Sequence, residues 1–301
     1  MDYKDELIEE IRELKEKHNA VILSHVYQEG DIQDIADFVG DSLGLSRKAV
    51  ETNADIIVFC GVLFMAETAY ILNPDKKVLI PDPNAGCFLA DTATLSKLKA
   101  KKREYPNAAV VSYVNSSAQI KAYSDVCCTS ANAIQVVESI PSKEILFIPD
   151  RNLADYVAEH TDKKIIPWDG YCLVHENISI ETIQRLKDLH PNAEIVVHPE
   201  CKADVRHIAN YIGSTSAMAR YISESPAKEF IVGTEDNFVY RVRRDNPDKI
   251  FYPVGTKCIG MRRITLEKLR DSLLEMKYEI TIPENIRRKA KKALDKMLEV
   301  V

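Results

Sequence analysis

The sequence has few of the features that mark specialised protein classes. Its longest apolar run, Ile56 to Ala66, is 11 residues, about half of the roughly 20 a membrane-spanning helix requires. There is no basic excess, because 40 Lys and Arg stand against 46 Asp and Glu for a net charge of −6. No lysine- or arginine-rich stripe marks a nucleic-acid face. Seven cysteines are present without one C-x-x-C pair, which argues against a disulfide scaffold and against the usual structural zinc knuckle. No Walker A or G-x-G-x-x-G pattern occurs, so a nucleotide cradle is not indicated. No Gly/Ser linker interrupts the chain, and the first twenty residues read as a charged amphipathic helix without an apolar signal core. The expectation is a cytoplasmic protein that binds neither membrane nor nucleic acid.

What is present is ordinary in bulk and unusual in pattern. The chain has 301 residues, 46% apolar and 29% charged, which is globular composition at a length where one core gives way to about two or three domains. Three segments share one plan. The runs 20–27, 109–116 and 194–201 are apolar strands that end in polar residues. Small-residue turns opening helices follow (36–50, 124–138 and 209–222), then second strands (55–61, 144–150 and 229–235) and second helices. Third strands (78–81, 165–168 and 251–254) lead to Cys87, Cys172 and Cys258. His25, Tyr113 and His198 lie 88 and 85 residues apart, as do Ser42, Ser130 and Thr215; the three cysteines lie 85 and 86 apart. Agreement at three landmarks indicates an internal triplication.

Strands alternating with amphipathic helices predict a parallel sheet in each copy, and continuous runs such as IIVF suit strands covered on both faces. The expected fold class is α/β, with three homologous three-layer αβα domains arranged with pseudo-threefold symmetry around a central active site. Repeat 1 is expected over 1–89 together with 265–301, repeat 2 over 90–174 and repeat 3 over 175–264. The strand YEITIP near the end is expected to add to an edge of the first sheet, ahead of a last helix.

In open α/β sheets ligands bind beyond the carboxyl ends of the strands. His25, Tyr27, Tyr113, Asn115, His198 and Glu200 all sit at such ends. Three isolated cysteines, with no fourth of the same pattern, suggest a 4Fe–4S cluster with one open iron acting as a Lewis acid. The alternative is three loop cysteines placed alike by common descent. Cys60, Cys127, Cys128 and Cys201 read as buried small hydrophobes. The turns at Ser42, Ser130 and Ser214–Thr215 can cap helices or hold an anion. Glu200 is the best carboxylate for proton transfer, and Tyr27 and Tyr113 can orient a substrate or give up a proton. His18, His160, His190 and His207 read as solvated helix residues, and Arg241, Arg243 and Arg244 as a solvated face. These features suit an iron–sulfur lyase or transferase. A non-catalytic anion-binding module and an electron-transfer protein, which needs a fourth cluster ligand, are the competing classes.

The motifs His25-x-Tyr27, Gly40-Asp41-Ser42, Tyr113-Val114-Asn115-Ser116, Thr129-Ser130-Ala131-Asn132, His198-Pro199-Glu200-Cys201, Gly213-Ser214-Thr215 and Cys258-Ile259-Gly260-Met261 together resemble the quinolinate synthase family, in its order and over nearly the whole chain. The resemblance implies condensation of iminoaspartate with dihydroxyacetone phosphate to give quinolinate, the pyridine precursor of NAD, with loss of phosphate and two waters. It implies one 4Fe–4S cluster held by Cys87, Cys172 and Cys258, with catalytic roles for Tyr27, Glu200 and His198. His25, Ser42, Tyr113, Asn115, Ser130, His175, His198, Glu200, Ser214 and Thr215 would hold substrate carboxylates and phosphate. It also implies a functional link to an iminoaspartate-producing enzyme. Three positions depart from the family pattern: Val26 where asparagine is usual, Tyr171 where histidine is usual and Ser216 where glycine is common. Val26 is expected to face away from its strand neighbours.

Overall fold

The computed structural model describes residues 3–300. Among the described residues, twelve strands form three parallel sheets of four. The first sheet contains β1 (Ala20–His25), β2 (Phe38–Gly40), β3 (Ile56–Cys60) and β4 (Lys77–Leu79), in the order β2-β1-β3-β4. The second contains β5 (Ala109–Tyr113), β6 (Val126–Cys128), β7 (Glu144–Ile148) and β8 (Lys164–Pro167). The third contains β9 (Glu194–Val197), β10 (Tyr211–Ile212), β11 (Glu229–Gly233) and β12 (Ile250–Pro253). Their orders, β6-β5-β7-β8 and β10-β9-β11-β12, repeat the first. The pairing register repeats too: Ala20 lies opposite Ile56, Ala109 opposite Ile145, and Ile195 opposite Ile231. Strand interiors such as Ile57, Val58, Val110, Val111, Val196 and Ile231 are fully buried, as parallel strands covered by helices must be.

Each repeat has one strand more than the sequence pattern predicts. Residues 36–41, 124–132 and 209–214 are not the start of a helix but carry the short edge strands β2, β6 and β10. The helices begin later, at Ser42–Glu51, Ala133–Ser139 and Thr215–Glu224. A further short helix precedes each edge strand: Gly30–Ile35, Ala118–Lys121 and Ala203–His207. Strands of two or three residues lie below the length at which hydrophobic alternation can be read. The delayed helix start leaves the turn before it open towards the carboxyl end of the first strand.

The linking helices Leu95–Glu104, Ile180–Leu189 and Leu266–Glu275 start alike. Thr94, Ser179 and Thr265 accept the amide N–H of Lys97, Thr182 and Lys268, which satisfies one orphan donor of each first turn. The segment around Tyr278–Ile280 runs antiparallel to β4, with a single bridge between Leu79 and Glu279; amide bonds from Ile80 to Tyr278 and from Ile280 to Val78 extend it. It is an edge attachment rather than a full strand. The last helix, Glu284–Glu299, packs against β6 and the Ala118–Lys121 helix, and also against the Leu63–Leu72 helix of the first repeat. No helix among the described residues is long and apolar enough to cross a membrane.

Candidate active site

The carboxyl ends of the three sheets share one cavity. His25, Tyr27, Ser42 and Cys87 line it from the first repeat, Tyr113, Asn115, Ser130 and Cys172 from the second, and His175, His198, Glu200, Thr215 and Cys258 from the third. Every site residue expected from the sequence faces this cavity except Ser214. Its hydroxyl caps its own helix by accepting the Ala217 N–H at 3.3 Å, and it borders a wider outer cleft with Arg47 and Arg220. In the first repeat Asp41 is the cap, accepting the Gly44 N–H at 2.8 Å, so the Ser42 hydroxyl is not consumed there. Thr215 is 4% exposed and its Oγ1 has no hydrogen-bond partner among the described residues. Among the described residues, no lysine or arginine lines the inner cavity. Its polar lining consists of hydroxyls, an amide, imidazoles and carboxylates.

His25 and His198 occupy equivalent strand ends and are held in the same way. Nδ1 of His25 accepts the Tyr27 amide N–H at 3.2 Å, and Nδ1 of His198 accepts the Glu200 amide N–H at 3.3 Å. An acceptor at Nδ1 places the remaining proton of a neutral ring on Nε2. His198 Nε2 lies 3.2 Å from the Ser130 hydroxyl. Burial lowers the pKa of both rings, and that of His25 falls to about 4 in spite of the attraction of Asp41. Burial also keeps Tyr27 and Tyr113 protonated, raising both well above the ordinary tyrosine value.

The depressed pKa of His25 has a measurable consequence. A group whose folded pKa lies below its unfolded value stabilises the fold above the unfolded value, near 6.5, and loses that contribution as the pH falls towards 4. The shift corresponds to about 3 kcal/mol. His25→Asn keeps an acceptor for the Tyr27 amide without a titratable ring. Urea unfolding of cluster-free protein between pH 7 and 4 is expected to show a steeper acid loss for the parent chain than for this variant.

Glu200 is 3% exposed. Its Oε2 lies 3.2 Å from Nδ1 of both His175 and His198, and the two rings stack at 4.5 Å. Burial opposes the charge of Glu200, but the two imidazoles outweigh it and hold the carboxyl below the ordinary range. Thr234 was not singled out by sequence. Its Oγ1 lies 2.5 Å from the Tyr27 hydroxyl and 2.9 Å from His175 Nε2, joining the first repeat to the third. The one signal for it was its place immediately after β11.

The cysteine loops are braced unequally. Asp150 Oδ2 accepts the Cys172 N–H at 2.9 Å and Oδ1 the Leu153 N–H at 2.7 Å. Glu235 Oε1 accepts the Cys258 N–H at 3.2 Å and Oε2 the Asn237 N–H at 2.7 Å. Both carboxylates are fully buried, and burial pushes Glu235 up to about 7. They lie 85 residues apart, at the same position of the repeat. The first-repeat equivalent, 88 residues earlier, is Val62; there a backbone bond from Leu63 to Ala85 holds the Cys87 loop at 2.8 Å. A Cβ on Gly260 would run into the Gly86 carbonyl, so the Cys87 and Cys258 loops touch backbone to backbone. Each buried amide left without an acceptor costs about 1–3 kcal/mol. Asp150→Ala is therefore expected to destabilise the cluster-free protein by about 2–4 kcal/mol and to speed alkylation of Cys172. Asp150→Asn keeps one acceptor and is expected to fall between, as denaturant midpoints will measure.

The three family departures lie off the cavity. Val26 is buried in the core, Tyr171 stacks under the Arg151 guanidinium at 4.4 Å and Ser216 is exposed on the outer cleft. Cys60, Cys127, Cys128 and Cys201 are fully buried, and none lines the cavity.

Comparison with known proteins agrees with this geometry over the full chain. The family model described as Quinolinate synthetase A protein matches residues 9–299. Quinolinate synthase 2 of Methanosarcina acetivorans is 53% identical over 300 residues, covering 99% of this chain and 97% of that protein. The quinolinate synthase of Thermodesulfovibrio yellowstonii is 50% identical over 297 residues (98% of each chain), and that of Desulforudis audaxviator 50% over 301 residues (99% of each). With the triplicated sheets, the shared cavity and matches of this extent, the chain belongs to the quinolinate synthase family.

Proposed function

We propose that the protein is a quinolinate synthase, condensing iminoaspartate with dihydroxyacetone phosphate to quinolinate with release of phosphate and two waters. The observation that carries the reading is the meeting of Cys87, Cys172, Cys258, Tyr27 and Glu200, from all three repeats, in one cavity. Among the described residues, the three sulfurs are not a group gathered at single-ion spacing. Three soft donors set wider than one ion requires fit a polynuclear iron–sulfur group. Cys87, Cys172 and Cys258 would hold a 4Fe–4S cluster, whose open iron supplies Lewis acidity for loss of hydroxide when it is bound.

The remaining work falls to side chains of this chain. The reactants carry carboxylates and a phosphate, and the cavity meets them with neutral donors. These are the hydroxyls of Ser42, Ser130, Thr215 and Tyr113, the Asn115 amide, and the Nε2–H groups of His25 and His198. Ser42 and Thr215 open ten-residue helices, whose positive ends add to the attraction. Glu200, between two imidazoles, takes a proton from one reacting atom and returns it to another. Tyr27 holds its proton and donates a hydrogen bond to a developing oxyanion, with Thr234 fixing its hydroxyl. The buried lining excludes water from steps that expel water.

The test is turnover by oxygen-free protein given dihydroxyacetone phosphate and freshly generated iminoaspartate, with quinolinate read by mass spectrometry. Product is expected, and it should vanish in Cys87→Ala. No product from protein carrying full iron and sulfide would refute the reading.

A further inference from the structure

Glu200 and His175 meet in an arrangement that hydrogen bonding within the chain leaves incomplete. His175 Nε2 lies 2.9 Å from the Thr234 hydroxyl. His175 Nδ1 lies 3.2 Å from Glu200 Oε2 and, with Nε2 on Thr234, is the ring atom left to hold an ion. Among the described residues, neither Nδ1 of His175 nor Oε1 of Glu200, both buried, has a hydrogen-bond partner. On its other side Glu200 Oε2 faces His198 Nδ1 at 3.2 Å, whose lone pair already receives the Glu200 amide. A cation among these atoms would pair His175 Nδ1 and the unpartnered Glu200 oxygen at once.

The Cys172 sulfur completes the group: donor atoms of Cys172, His175 and Glu200 all lie within 4.8 Å of one another. Tetrahedral coordination by sulfur, nitrogen and oxygen places neighbouring donors about 3.3–3.8 Å apart, so the pocket need contract only slightly. A ligating histidine commonly donates its other N–H to an oxygen, which fixes its tautomer; Thr234 occupies that place. Mixed sulfur, nitrogen and oxygen donors favour zinc, cobalt or ferrous ions over magnesium or calcium.

We propose that the cluster-free protein binds one divalent transition ion of the zinc class through Cys172, His175 and Glu200. This ligand set differs from the three cysteines but shares Cys172 with them. The ion and the cluster are therefore mutually exclusive, and zinc blocks cluster assembly. The inference does not depend on which reaction the cavity performs.

Cobalt serves as the probe. Oxygen-free, chelator-treated full-length protein is titrated with Co2+ and then with Zn2+. One Co2+ per chain is expected, with visible bands of tetrahedral intensity and a near-ultraviolet thiolate-to-cobalt band, both removed by Zn2+. Cys172→Ser should abolish the thiolate band. His175→Asn, Glu200→Gln and Thr234→Val should each weaken binding by at least about tenfold. Cys87→Ser and Cys258→Ser should leave stoichiometry and affinity in place. Protein preloaded with Zn2+ should take up no iron and sulfide until the zinc is stripped. Near-ultraviolet circular dichroism of each variant establishes that it is folded. Loss of the cobalt site in folded Cys87→Ser or Cys258→Ser would assign the ion to the three thiolates and overturn the proposal. Unchanged binding in folded His175→Asn and Glu200→Gln would overturn it equally.

Discussion

Glu200→Gln is expected to lower quinolinate turnover by about a hundred- to ten-thousand-fold, the usual worth of a positioned acid–base group. The substitution is close to isosteric. It leaves the Glu200 backbone N–H donating to His198 Nδ1, so the loop and the His198 tautomer persist. What it removes is the charge between two imidazoles 3.2 Å away and the capacity to take up a proton. Because that capacity is used in the reaction rather than in ground-state binding, the loss should appear in kcat with KM within a few-fold. Iron and sulfide content and the unfolding midpoint, measured in parallel, should stay near those of the parent chain. A fall in KM-limited rate with kcat intact would instead assign Glu200 to substrate binding.

Arg206→Ala should have the largest effect on stability, a loss of about 3–5 kcal/mol, while touching nothing in the cavity. The Arg206 side chain is 1% exposed. Nη1 donates to the carbonyl oxygens of Cys201 at 2.8 Å and Asn152 at 3.3 Å, and Nη2 donates to Asp155 and Glu159 at 2.7 Å each. Cys201 follows Glu200 directly, whereas Asn152 and Asp155 belong to the helix Arg151–Ala158 of the second repeat. One guanidinium thus fixes the Glu200 loop to its neighbouring repeat. The two carboxylates retain access to water at 57% and 32% exposure, so they are not stranded when the arginine is removed. The cost comes from two carbonyls left without a donor and from the void. Arg206→Lys keeps a charge without the fork that reaches four acceptors and should recover less than half of the loss. Denaturant unfolding of cluster-free protein measures both. A kcat decrease in Arg206→Lys at full cluster content would be the signature of a displaced Glu200.

The repeat plan, the main strands and most polar residues of the cavity could be read from the sequence, for one physical reason. Apolar runs that alternate with amphipathic helices report burial locally, and the triplication lets each copy check the others. His25, Tyr113 and His198 were placed by their strand ends, and the cysteines by their offsets of 85 and 86 residues. The short edge strands escaped notice because two or three residues carry no period. They delay each helix start, which is why Asp41 caps the first of these helices while Ser42 faces the cavity.

The support of the site was not legible in this way. An arginine in a short charged helix reads as solvent-facing, yet Arg206 is buried because three of its four acceptors lie 47 to 54 residues away. Thr234 meets Tyr27 across 207 positions of sequence. Asp150 and Glu235 read as polar ends of strands, and only folding brings the cysteine amides to them. Sequence alone determined which residues stand at the carboxyl ends of the strands, because that depends on periodicity along the chain. The tertiary structure alone decided which lone pairs, amides and carbonyls those residues meet. A hydrogen bond depends on distance and direction between groups remote in sequence, and no local pattern encodes either.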